Sequence, residues 1–247
     1  MAVAARVSLP VDLVTFDLYD TLIELDPPRW TRLRAALRDF GVDATEDVLR
    51  EADLIAEDYY TVENGGVPIR DRAKADQEAF RVEYMRRWLE AAGVSGDPAF
   101  AAEVRPRYLA EFESGWDHRA YRLFDDVMPA LVRLRAAGIR TALISNADAD
   151  VTAIAVHFAF ADRMDLLVTS ALVGYEKPDP RTFRAALDPL GADPARTLHI
   201  GDQAKSDVAG ALGVGMQAAL LDRYGRHREY GGVKVAGLTE LAGLVIR

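Results

Sequence analysis

Short apolar runs punctuate the chain at wide intervals, and most end in a polar or small residue. Leu13 to Phe16 runs into Asp17, and comparable runs recur at Ile139 to Ile144, Leu166 to Val168, Leu198 to Ile200 and Gln217 to Leu221. Each is bounded by Gly, Asp, Asn or Ser, as strands of a parallel sheet buried on both faces should be. The segments between them have helical periodicity with readable ends. Pro129 opens one whose apolar face carries Leu131 and Leu134, with Arg133 turned outward and Gly138 stopping it; Asp179 and Pro180 cap another that carries Phe183, Leu187 and Leu190 and stops at Gly191. This alternation predicts an α/β fold, a doubly wound, Rossmann-like parallel sheet.

The stretch from about Pro27 to Arg122 breaks the alternation, because it contains no convincing strand. Trp30, Leu33, Leu37 and Phe40 share a helical face before Gly41. Asp43 and Glu46 form a capping-box-like pattern ahead of Val48, Leu49, Ala52, Ile55 and Ala56, and Phe80, Tyr84 and Trp88 recur at intervals of four up to Gly93. A fourth helix starts at Asp97 and Pro98 and is bent or broken at Pro106. The expected organisation is an α/β core of residues 1–25 and 123–247 with an all-helical domain, residues 26–122, inserted after the first strand. Within the insert, Tyr59 to Arg72 reads as a loop in which Arg70 or Arg72 can meet an anionic group, although an ordinary exposed loop fits equally well.

Composition narrows the classes of function. With 50% hydrophobic and 28% charged residues, the 247-residue chain has material for a packed core, which disfavours disorder and membrane classes. A net charge of −9 repels a phosphate backbone, and no basic stripe interleaved with aromatics offsets it, so nucleic acid is not an expected partner. The opening MAVAARVSLP lacks the apolar core of a signal peptide, and nowhere do roughly 18 apolar residues run together to span a bilayer. A cytoplasmic monomer or homodimer is expected. The absence of cysteine removes thiol catalysis and leaves oxygen or imidazole to hold any metal. His118, His157, His199 and His227 are scattered and read as packing or surface groups, and the charged stretch Leu221 to Gly232 reads as solvated. Only four of the 30 basic residues are lysines, Lys74, Lys177, Lys205 and Lys234, so each is less casual than a lysine usually is.

In an open α/β sheet, ligands bind beyond the carboxyl ends of the strands. The polar residues expected there are Asp17, Tyr19, Asp20 and Thr21 after the first strand, Ser145 and Asn146 after the second, Lys177 after the third, and Gly201, Asp202 and Asp207 after the fourth. Three carboxylates converging on one lysine repel one another unless a cation is present, and Mg²⁺ suits an all-oxygen site. Lys177, the Ser145 hydroxyl and the Asn146 amide can then hold the remaining charge of a phosphate. Each residue also has a plainer reading. Thr21 can cap a local turn, Asn146 can be a strand-end turn residue, Asp207 can cap the following helix, and Lys177 can be a surface charge.

Four segments taken together go further: FDLYDTL (Phe16 to Leu22), LISN (Leu143 to Asn146), YEKPDP (Tyr175 to Pro180) and HIGDQAKSD (His199 to Asp207). In order and spacing they resemble the four motifs of the haloacid dehalogenase superfamily, and the helical insert is similar to its C1-type cap. The resemblance implies Asp17 as nucleophile and Thr21 as its support, with Ser145 and Lys177 binding the transferred group. It also implies Mg²⁺ held by Asp17, the Tyr19 main-chain carbonyl, Asp202 and Asp207, and a phosphatase acting on a small phosphorylated metabolite through an aspartyl-phosphate.

Tyr19 departs from that pattern, because the superfamily's phosphatases carry an aspartate there as general acid and base. A phenol with a pKa near ~10 donates a hydrogen bond but is a poor base at neutral pH. Asp20 is adjacent, yet a shift of one residue along an extended segment turns its side chain to the other side. Tyrosine at this position resembles the 2-haloacid dehalogenase branch, whose halide leaving group needs no proton. The acidic pair of GDQAKSD and the phenylalanine at Phe183 do not resemble that branch. A chain that binds a phosphorylated ligand or a partner with little turnover is the third alternative.

Overall fold

The computed structural model describes residues 7, 10–110 and 118–245; most of the opening segment MAVAARVSLP therefore lies outside the described residues. In chain order the strands are β1 (Leu13–Phe16), β2 (Ile23–Leu25), β3 (Tyr121–Leu123), β4 (Arg140–Ser145), β5 (Leu166–Thr169), β6 (Thr197–Gly201), β7 (Gln217–Leu221) and β8 (Lys234–Val235). Six of them form one parallel sheet in the order β5-β4-β1-β6-β7-β8, and β2 and β3 form a separate pair. All four residues of β1 and all five of β6 are buried, which is why the sequence shows continuous apolar runs there rather than alternation.

The helices of the first stretch are α1 (Arg29–Arg38), α2 (Glu46–Gly66), α3 (Lys74–Ala91) and α4 (Pro98–Ala110). Those that follow are α5 (Val127–Ala136), α6 (Thr152–His157), α7 (Ser170–Val173), α8 (Pro180–Leu187), α9 (Ala209–Gly213) and α10 (Leu238–Val245). Two compact units result, one of Met1–Glu24 with Leu123–Arg247 and the other of Leu25–Arg122. In the first, α5 packs with α10 and α8 with α9, pairs that clothe the two faces of the sheet. Phe183, Ala186 and Leu187 of α8 join Ile144, Val168, Ala211 and Leu220 in one buried cluster.

Strand order locates the crevice. From β1 the chain builds outward on one side through β4 and β5, then returns to add β6, β7 and β8 on the other. The reversal leaves the carboxyl ends of β1 and β6 side by side with no crossover between them, the place where such sheets open to a ligand. Register puts Phe16 opposite both Leu143 and Ile200, so Asp17, Ser145 and Gly201 leave the sheet at the same edge.

Several local expectations are corrected. The cap of α2 is Thr45, whose hydroxyl accepts the Val48 N–H at 3.3 Å; Asp43 and Glu46 do not form it. The buried stripe of α2 is Leu49, Ala52, Asp53 and Ala56, while Val48 and Ile55 face solvent. An ion pair explains the difference: Asp53 takes a core position by bonding Arg29 at 2.8 Å, and hydrophobicity alone does not reveal such a group. Residues 59–66 belong to α2 rather than to a loop, and of the two alternatives at Pro106 the break is overturned, because α4 continues through it. α5 opens at Val127, two residues before Pro129. Strand β3 begins inside the stretch read as free of strands; three residues are too few for a pattern, and its partner β2 lies far away in sequence.

Candidate active site

Asp17 extends β1 by one bond, its N–H meeting the Ile200 carbonyl at 2.8 Å. The chain then folds back sharply. The Leu18 carbonyl accepts from Leu22 at 2.8 Å and Ile23 at 3.1 Å, and the Asp20 N–H bonds the Ile23 carbonyl at 2.7 Å. Asp20 sits at φ +58°, in the left-handed region that aspartate tolerates better than most side chains. This turn holds Asp17 nearly buried and Thr21 fully so.

Lys177 enters from the loop ahead of α8 and is 1% exposed. Its Nζ donates to Asp17 Oδ1 at 2.7 Å and to Asp207 Oδ1 at 2.6 Å. The lysine is therefore no surface charge. Asn146, expected to touch substrate, grips the main chain of Lys177: its Oδ1 accepts the Lys177 N–H at 2.7 Å and its Nδ2 donates to the Lys177 carbonyl at 3.0 Å. That reciprocal pair aims the lysine from the end of β4.

Asp202 and Asp207 follow β6, joined by a wide, π-type helical turn over Ala204–Val208. Asp207 Oδ2 accepts the Gln203 N–H at 3.0 Å, which turns the carboxylate back toward the sheet rather than leaving it to cap the next helix. It comes so close to Gly201 that a methyl group on that residue would overlap it. His199, read from sequence as a packing residue, packs edge-on against Phe183 but also reaches Asp207, with Nε2 at 3.3 Å from Oδ1 and Nδ1 at 2.8 Å from Thr15 Oγ1. A carboxylate only accepts, so Nε2 carries the proton and Thr15 donates to Nδ1. The available signal was a lone histidine between two apolar residues, Leu198 and Ile200, on the same face as Gly201 two residues on.

The carboxyl oxygens of Asp17, Asp202 and Asp207 lie within 4.8 Å of one another, a candidate metal-binding group. Burial raises the Asp17 carboxyl to about 6, with Lys177 opposing and Asp207 reinforcing the shift. Burial, then the charges of Asp20, Asp17 and Asp207, push Asp202 well above the usual carboxylate range against the pull of Arg226. Burial works the same way on Asp207, yet Lys177 and His199 hold it below that range. Burial would lower Lys177, but Asp17 and Asp207 keep its ammonium firmly charged. Tyr19 is pushed up to about 12, by burial first and then by Asp17 and Asp148.

These shifts test whether a metal fits. With every group ionised, three carboxylates and one ammonium leave two negative charges in excess, which a divalent ion would neutralise. The donors are all oxygen, the set that suits Mg²⁺. Ser145 Oγ and Thr21 Oγ1 are buried with no hydrogen-bond partner, as groups awaiting a further ligand would be. Of the two arginines singled out in the insert, Arg72 donates to the Glu63 and Val67 carbonyls, closing the end of α2, and lies over the Phe80 ring. Among the described residues, no helix is long and apolar enough to cross a membrane.

Residues 11–215 match the profile of a family described as haloacid dehalogenase-like hydrolase. A Mycobacterium tuberculosis protein named Phosphatase MT3486 is 29% identical, covering 90% of this chain and 92% of its own. Among solved structures, the HAD-hydrolase YfnB from Bacillus subtilis, bound to magnesium, superposes with a TM-score of 0.63 at 16% identity over 96% of this chain and 99% of that one. A 2-haloacid dehalogenase from Pseudomonas syringae superposes with a TM-score of 0.53 at 26% identity, over 95% and 98%.

Proposed function

The chain belongs to the haloacid dehalogenase-like hydrolases, and on that footing we propose that it is a Mg²⁺-dependent phosphatase of small phosphorylated metabolites, with Asp17 as covalent nucleophile. The observation that carries this reading is the excess of buried carboxylate around Lys177, whose Nζ lies 2.7 Å from Asp17 and 2.6 Å from Asp207. Mg²⁺ held by Asp17, the Tyr19 carbonyl, Asp202 and Asp207 would offset that charge and that of the phosphoryl oxygens.

The residues of the chain divide the work. The free Asp17 oxygen attacks phosphorus; an oxygen–phosphorus bond forms there as the bond to the leaving oxygen breaks, and water then splits the acyl phosphate into phosphate and the original carboxylate. Lys177 and the Ser145 hydroxyl hold the transferred group, Thr21 supports the Asp17 turn, and Asn146 acts through Lys177. The helical insert, residues 26–122, serves as the cap that selects the substrate. The relative named as a phosphatase supports the reaction, and the magnesium-bound structure supports the metal.

Tyr19 limits the substrate. A phenol pushed up to about 12 keeps its proton at neutral pH and does not take one from water. The favoured substrates are those with a good leaving group, such as acyl phosphates, or with an acid of their own. The same residue favours a second reading, hydrolysis of a carbon–halogen bond, in which the departing halide needs no proton. A phosphate-release panel with and without Mg²⁺, an Asp17→Asn control, and halide release from 2-chloropropionate separate the readings. Mg²⁺-dependent phosphate release supports the first, metal-independent halide release the second, and silence in both leaves a binding protein.

A further inference from the structure

The charged stretch after β7, read from sequence as solvated, is built around a buried carboxylate. Asp222 Oδ1 accepts the Arg226 N–H at 2.7 Å and Oδ2 the His227 N–H at 3.1 Å, while its own N–H bonds the Val235 carbonyl at 2.8 Å. The tight turn that results directs Arg223 and Tyr224 back into the core unit. Arg223, with its side chain 10% exposed, donates through Nη1 and Nη2 to the two oxygens of Asp126 at 3.0 and 2.9 Å, and through Nη2 to the Thr21 carbonyl at 2.8 Å. Its guanidinium lies 3.8 Å from the centre of the Phe124 ring. The Tyr224 hydroxyl bonds the carboxylate of Glu24, in β2.

We propose that Arg223, assisted by Tyr224, is a positioning residue for the Asp17–Ile23 turn. The inference rests on the reading in which Asp17 reacts and the Tyr19 carbonyl binds metal. Asp126 alone would supply the Arg223 guanidinium with a bidentate partner, and its Nε is buried without one, so the ion pair itself does not call for a third bond. The additional bond goes to the main chain of Thr21, next to the left-handed Asp20, where a fixed carbonyl determines the path of the turn. Asp126 is itself held, its Oδ2 accepting the Leu238 N–H at 2.7 Å. Arg223 thus ties the turn to the start of α5 and, through Asp126, to α10. The planar fork matters more than the charge, because lysine cannot span both partners.

Arg223→Lys and Arg223→Gly test this in the full-length protein. Arg223→Lys should lower kcat by about 10- to 100-fold with KM changed by no more than about twofold, the signature of a displaced reacting group rather than of weakened substrate binding. Guanidinium ion, well below denaturing concentrations, should restore turnover in Arg223→Gly, and sodium at equal ionic strength should not. Independently of turnover, hydrogen exchange at the Leu22 and Ile23 amides should quicken about tenfold or more in Arg223→Lys while the β4 and β6 amides keep their wild-type rates. Unchanged kcat with unchanged exchange in the turn overturns the proposal, as does a parallel rise in exchange across the sheet, which would mark Arg223 as a general support. Should wild type release neither phosphate nor halide, the functional reading has failed, and the exchange measurement alone decides whether Arg223 orders the turn.

Discussion

Each compact unit keeps a cluster of charge out of water, but the two clusters are balanced differently. In the helical insert, Asp53 bonds Arg29 at 2.8 Å, Glu57 accepts the Tyr84 hydroxyl at 2.7 Å, and Arg32 donates to the Asp26 and Pro27 carbonyls. The charges of two guanidiniums, Arg29 and Arg32, and two carboxylates, Asp53 and Glu57, act on Tyr108 there with opposing signs. In the core, Asp17, Asp202 and Asp207 face the single ammonium of Lys177, and two buried hydroxyls beside them have no partner. Buried charge is therefore a poor marker of chemistry by itself. An excess of one sign is a better one, because a fold gains nothing by keeping it unless something else completes the site.

Removing a carboxylate should have opposite effects on stability in the two clusters. Asp17→Asn should reduce turnover by ~10⁴-fold or more and yet raise the melting temperature of the metal-free protein near neutral pH by a few degrees, as repulsion is relieved. A lower melting temperature would mean that the core cluster is not overcharged. Asp53→Asn should cost about 3 kcal/mol, since it leaves Arg29 poorly matched; a urea midpoint shift at constant m would register it. A cost below about 1 kcal/mol would erase the distinction between the clusters.

Acid should sharpen the contrast. Asp17 titrates at about 6 in the folded protein, against about 4 in an unfolded chain. The folded metal-free protein thus binds more protons through this window, so this group's contribution to stability is present at low pH and declines as pH rises from about 4 through 6. Mg²⁺ requires the carboxylate. At about pH 5 only ~10% of Asp17 is ionised, and proton competition at Asp202, also pushed up, can only add to the loss, so Mg²⁺ should bind at least about tenfold more weakly than near pH 7.5. Calorimetric titration at the two pH values checks this, and equal affinities would count against the overcharged core. The smallest effect belongs to the exposed side of the insert: Ile55→Gln should leave stability within about 0.5 kcal/mol, measured by urea melts.

The core was legible in the sequence because buried parallel strands leave uninterrupted apolar runs, and the residues just beyond those runs fall at one sheet edge. Asp17, Lys177, Asp202 and Asp207 could be read as a group for that reason. The insert was less legible. Its α2 stripe depends on Asp53, which enters the interior only because Arg29 meets it, so a count of apolar positions turned the helix toward Val48 and Ile55. Residues acting through main-chain atoms were the hardest to see. Arg223 serves Thr21 by bonding a carbonyl that every residue possesses, and Asn146 serves Lys177 in the same way. None of these bonds depends on the identity of the residue whose main chain it meets, so no pairing of residue types along the chain could have indicated them.

Gly201 raises a different matter. The carboxylate of Asp207 occupies the volume that any side chain at 201 would claim. This position is thus specified by a space rather than by a chemical group. The loops and hydroxyls around the site can be rewritten to suit another substrate, but at 201 the alphabet has shrunk to one letter.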